Sequence, residues 1–140
     1  MKWTAIVARD EVMQDGSALR DAEREAEIAG RECEELAAEI CRMKELVRER
    51  KGEIFRLREA HERLVSARPG EVFAAVRAEI SRKSAEMRGL QSRIGALLLR
   101  HLSVERRLEG AKLCAEALRA AAARELENER KELSSTRPAL

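Results

Sequence analysis

The chain has 140 residues, with 28 Lys and Arg against 26 Asp and Glu and a formal net charge of +2. Near-balanced charge argues against a general nucleic-acid binder, which would show one basic face. No apolar run approaches the roughly 20 residues of a membrane-crossing helix. Aromatics make up only 2% of a composition dominated by Ala, Glu, Arg and Leu, the profile of a coiled coil rather than of a protein with a sizeable globular core.

In chain order, residues 1–16 carry Ile6, Val7, Val12 and Met13, spaced for an amphipathic turn or two. Ala5-Ile6-Val7-Ala8 is too short for the core of a signal peptide, so a cytoplasmic location is expected. Gly16 and Ser17 interrupt or recap the helix, Ser being a favoured N-cap.

A first helix is predicted from about Ser17 to Ala67, about 75 Å long at 1.5 Å per residue. Its apolar stripe runs Leu19, Ala22, Ala26, Ala29, Cys33, Leu36, Ile40, Met43, Val47, Arg50, Ile54, Leu57, His61, Leu64. This is a heptad seam with Leu19 at a and Ala22 at d, broken only by Arg50 and His61. The first half of the helix is acidic, and from Arg42 the balance inverts. Arg68-Pro69-Gly70 is the expected turn, because Pro cannot continue a helix and Gly relieves a tight corner.

A second helix is predicted from about Glu71 to Leu133. Its seam runs Phe73, Val76, Ile80, Lys83, Met87, Leu90, Ile94, Leu97, His101, Val104, Leu108, Ala111, Ala115, Leu118, Ala122. Folding the chain at Pro69-Gly70 sets Leu64 against Phe73, Leu57 against Ile80, Val47 against Leu90, Ile40 against Leu97 and Leu19 against Leu118. In every pair the two residue numbers have the same sum, so the register never slips and each a position faces a d position. The predicted fold is therefore all-α: one long antiparallel two-helix coiled-coil hairpin in a single domain. Beyond the seam, Glu125, Glu129 and Glu132 take the stripe positions, so the paired coil should end near Asp15 and Ala122. The hairpin by itself needs no second chain, and an elongated monomer is the expectation.

Cys33, Cys41 and Cys114 fall on different faces with no C-x-x-C spacing, which suits neither a metal site nor a disulfide framework. His61 and His101 sit far apart on the seam and read as polar wedges that help to fix register. There is no phosphate loop, no nucleophile–base constellation and no pair of carboxylates in a cleft. No catalytic residue, cofactor or metal is expected, and the chain does not read as an enzyme.

Large apolar residues outside a and d mark candidate binding faces. Phe55 at b and Leu99 at f point outward, and Leu126 and Leu133 leave the heptad register past Ala122. Both legs are basic toward the turn, where Arg56, Arg82 and Arg88 join Phe55 as candidate contacts for an acidic partner.

This layout, a chain that is almost wholly one antiparallel hairpin with both termini projecting beyond a short turn, resembles the central-stalk proteins of type III secretion and flagellar export, the YscO/FliJ-like family. The segment AKLCAEALRA at 111–120, followed by RELENERKEL at 124–133, is similar in character to the charged C-terminal helix of that family. The resemblance implies a coil like the gamma subunit of the rotary ATP synthase. It implies a terminal end seated in the pore of a secretion ATPase hexamer, contact with an export gate protein, and secretion chaperones as further partners. It also implies a place at the inner membrane through the secretion apparatus, with injectisome and flagellar systems both open. The alternative is a generic structural coiled coil that scaffolds or dimerises through its outward apolar residues. Binding of nucleic acid or a membrane surface through the basic half is disfavoured, since acids are interleaved there and no stacking aromatics line it.

Overall fold

In the computed structural model, which describes residues 16–136, the chain is an antiparallel two-helix hairpin. Helix α1 spans Ser17–Ala67, 51 residues, and helix α2 spans Ala74–Thr136, 63 residues. The amphipathic turn expected around Val7 and Val12, and the end of the coil at Asp15, lie outside the described residues. Gly16, at φ 67°, accepts the Arg20 N–H at 2.9 Å and so caps α1, with Ser17 the first helical residue.

Both heptad stripes are covered. Every seam residue from Leu19 to Leu64, and from Phe73 to Ala122, is buried or half-buried, while the positions outside the stripes are largely exposed. A stripe one or two residues wide is what a single helical partner can cover.

The hairpin packs as two units, residues up to Glu32 with those from Ser103 on, and Cys33–Leu102. In the terminal unit the buried residues are Ala22, Ala29, Val104, Ala111 and Ala115. Such small side chains bury little apolar area, so each layer contributes little. Arg107 adds cross-helix bonds to Glu25 at 2.9 Å and Glu32 at 3.4 Å, and Arg119 bonds Glu23 at 2.9 Å. All of these pairs are solvent-exposed and worth at most about 1 kcal/mol each. On α2, Ala121, Ala122 and Glu125 are still half-covered, whereas 126–135 are exposed throughout.

In the unit around the turn the core is larger. Leu36, Ile40, Val47 and Ile54 of α1 are buried, each 8% exposed or less. Fully burying such a side chain contributes roughly 1.5–3 kcal/mol. Facing them, Ile80, Met87, Leu90, Ile94 and Leu97 of α2 are half-buried.

The corner between the helices is a β-turn. Arg68 still donates to the Leu64 carbonyl at 2.9 Å and so ends α1. The Glu71 N–H then returns to the Arg68 carbonyl at 3.3 Å, with Pro69 second in the turn and Gly70 third at φ 88°. Proline followed by a positive-φ glycine is the signature of a type II turn. An Arg68–Glu71 ion pair at 3.7 Å spans the same four residues.

Two boundaries differ from expectation. Helix α2 begins at Ala74, three residues later than Glu71, whose N–H closes the turn. Phe73 acts as N-cap, its carbonyl accepting the Arg77 N–H at 3.1 Å. The Phe73 ring stands edge-on to His61, with centroids 6.3 Å apart and planes at 89°, so this seam histidine packs against an aromatic edge. At the other end α2 continues to Thr136 rather than stopping at Leu133. There Ser135 Oγ donates to the Glu132 carbonyl at 3.0 Å, a local bond that suits a serine in a last helical turn.

Candidate interaction surface and the polar layer

The two charged residues that interrupt the seam in the unit around the turn are joined by acids of the opposite helix. Lys83 Nζ donates to Glu53 Oε2 across the hairpin at 2.5 Å. Arg50 donates to both oxygens of Glu53, at 3.1 and 3.2 Å, and reaches Glu86 on α2 with Nε 3.2 Å from Oε2. That last contact is an ion pair but not a hydrogen bond, since Nε is shielded from solvent and unaligned with any acceptor. Lys83 also lies 3.7 Å from Glu79, and Glu79 takes two bonds from Arg82, the shorter at 2.6 Å.

This polar layer shifts the acids in one direction. The Lys83 hydrogen bond, helped by the charges of Lys83 and Arg50, holds the Glu53 carboxyl below its ordinary value against partial desolvation. The Arg82 hydrogen bond does the same for Glu79, and Glu79 in turn raises the Arg82 guanidinium. Both shifts favour the ionised acids Glu53 and Glu79, and the cross-helix pairs suit a register lock, a use of polar residues at seam positions.

Glu53, Glu79 and Glu86 were not singled out in the sequence. Glu53, Glu79 and Glu86 all hold g positions, beside the seam, and pairing was read from a and d alone. Pairing seam charges with acids at g in the antiparallel register would have found them. The same flank continues with Arg93, which bonds Glu39 at 3.2 Å. One side of this unit is thus closed by cross-helix ion pairs.

The candidate contact residues separate into three kinds. Phe55, Leu99, Leu126 and Leu133 are exposed, at 63, 71, 65 and 70%. Arg56 and Arg88 are exposed and make no ion pair among the described residues. Arg82 is different, because its guanidinium is engaged with Glu79 at 2.6 Å. Phe55 and Leu99 stand on separate helices at outward positions. Leu126 and Leu133, seven residues apart on one face of α2, flank Glu129 and Arg130 in an open groove of that helix. Leu98 at e and Leu102 at b also lie outside the seam, and both are exposed beside Leu99.

Among the described residues, no group of three or more His, Cys, Asp or Glu is placed to hold a metal ion. Cys33 is half-buried, Cys41 and Cys114 are exposed, and no disulfide joins them among the described residues. No described helix is long and apolar enough to cross a membrane. What the surface offers is apolar side chains on a helical frame, suited to contact with another protein. Comparison with protein-family models, with curated proteins and with solved structures finds no match to this chain.

Proposed function

We propose that this chain is a non-catalytic coiled-coil hairpin that binds protein, as a scaffold or dimerising element. The observation that carries this reading is the set of large aliphatic side chains left outside a seam that is already fully occupied, foremost Leu98, Leu99 and Leu102. Each of these leucines leaves more than 40% of its surface exposed beside the others, and such patches mark interaction sites. A photo-crosslinking residue in place of Leu99, and another in place of Leu126, tests it in cells. Adducts of defined mass are the expected result. Absence of adducts from both positions would overturn the reading.

A narrower reading is the central stalk of a type III secretion or flagellar export apparatus, acting in the cytoplasm on an ATPase hexamer and an export gate. The feature that supports it is the exposed end of α2, where Leu126 and Leu133 share one face with charged neighbours on either side. Stimulation of a purified secretion ATPase by the intact chain is its direct test.

A further inference from the structure

The ion-paired flank of the unit around the turn leaves its opposite flank open. There Leu98 at e, Leu99 at f and Leu102 at b cluster on α2, exposed by 46, 71 and 43%, with Ala37 at e and Cys41 at b on the facing edge of α1. In an antiparallel pair the e positions of the two helices border the same side of the seam, as the g positions border the other. Gly95, one turn before Leu98 and Leu99, has open space where a Cβ would stand, so the patch continues into a shallow step.

The charges around the patch suggest what covers it. Glu34 and Lys44 lie on α1, one before the patch and one after it. Both are exposed, and neither makes an ion pair within the described chain. They are ten residues apart, and the register that sets Leu97 against Ile40 puts Leu98 level with the point midway between them. A two-fold axis at Leu98, perpendicular to the helices, would therefore lay α1 antiparallel to the α1 of another copy. It would bring Glu34 of each copy against Lys44 of the other, with the leucines meeting at the centre. Self-complementarity of this kind, apolar at the axis and opposite in charge at equal distances from it, is what an isologous interface requires.

We infer that this flank binds a second copy of the chain, antiparallel, through Leu98, Leu99 and Leu102, with reciprocal Glu34–Lys44 pairs at its edges. The inference rests on the protein-binding reading and names the partner of that surface. It also replaces the monomer expected from the seam alone.

Sedimentation equilibrium of the purified intact chain tests it, with circular dichroism to confirm unchanged helicity. The wild type should reach dimer mass within the micromolar range. Leu99→Lys with Leu102→Lys should return it to monomer with its helicity intact. Glu34→Lys alone, or Lys44→Glu alone, should weaken association about tenfold, because each replaces two symmetry-related attractions by repulsions. The double exchange Glu34→Lys, Lys44→Glu should restore association, since both pairs reform with signs reversed. A monomer throughout that range, or a double exchange no better than the single ones, overturns the self-pairing. A crosslinker at Leu99 that captures only chains of other mass also overturns it while leaving the broader protein-binding reading intact.

Discussion

Lys83 and Glu53 meet across the hairpin at 2.5 Å, the shortest contact in a layer that also holds Arg50 and Glu86. Because Lys83 holds the Glu53 carboxyl below its ordinary value of 4.5, the contact contributes stability that is fully present above that pH. As pH falls below it and through the lowered value, the folded carboxylate is protonated and the contribution is lost. Glu79, held down by Arg82, behaves in the same sense. Thermal unfolding followed from pH 7 to pH 3 should therefore show a midpoint that declines below about pH 4.5. Glu53→Gln should flatten that decline and lower the midpoint at neutral pH. An equally steep decline in the variant would mean that other carboxylates govern the acid response.

Burial separates leucines that composition treats alike. Leu36 is 6% exposed and Leu99 is 71% exposed. Leu36→Ala should cost roughly 2–4 kcal/mol through lost burial and an unfilled cavity. Leu99→Ala should cost under about 0.5 kcal/mol in the monomer. Denaturant unfolding at a concentration too low for self-association measures both. Comparable losses would break the heptad assignment.

The seam was legible because a heptad code on two matched segments admits one register around Pro69-Gly70. None of its residues is exposed, including the polar exceptions Arg50, His61, Lys83 and His101. What lay beyond the a and d positions was harder to read. Lys83 stands in the stripe with no visible partner in the sequence, since the acid that bonds it sits at g on the other helix and becomes a neighbour only once the hairpin closes. Phe73 reads as a seam residue and is one, yet nothing in its chemistry announces an N-cap. The outward positions of Phe55 and Leu99 followed from the heptad count. The engagement of Arg82 did not, because three basic side chains near the turn look equivalent until Glu79, one turn away, is seen to hold one of them.

The turn makes a contrast between glycines. Gly70 sits at φ 88°, where a side chain crowds its own backbone, and Gly110 is helical with nothing within 4 Å of an added Cβ. Gly70→Ala should destabilise the hairpin by about 1–2 kcal/mol from left-handed strain alone. Gly110→Ala should stabilise it by about 0.5–1 kcal/mol, through higher helix propensity and a less flexible unfolded chain. Urea unfolding of the two variants should move in opposite directions. If both lower stability, the face of α2 that carries Gly110 is covered by something outside the described chain.

The end of α2 tests the narrower, secretion-stalk reading. From Leu126 to Ser135 every residue is exposed, so Leu126 and Leu133 add little to the packing of the hairpin. Leu126→Ser with Leu133→Ser should therefore leave the unfolding midpoint within about 0.5 kcal/mol of wild type. If these leucines seat in the pore of a secretion ATPase ring, the same change should abolish stimulation of that ATPase. Reversal of the exposed Arg56 and Arg88, which make no ion pair among the described residues, to Glu should spare stimulation and weaken a salt-sensitive contact with an acidic gate protein, because exposed charge attraction is screened over about 8 Å at physiological ionic strength. Arg82 is unsuited to that test, since reversing it would also break its pair with Glu79. If the arginine reversals remove stimulation and the leucine changes do not, the ATPase lies at the turn end of the hairpin. If neither set affects either partner, the stalk reading falls and the scaffold remains.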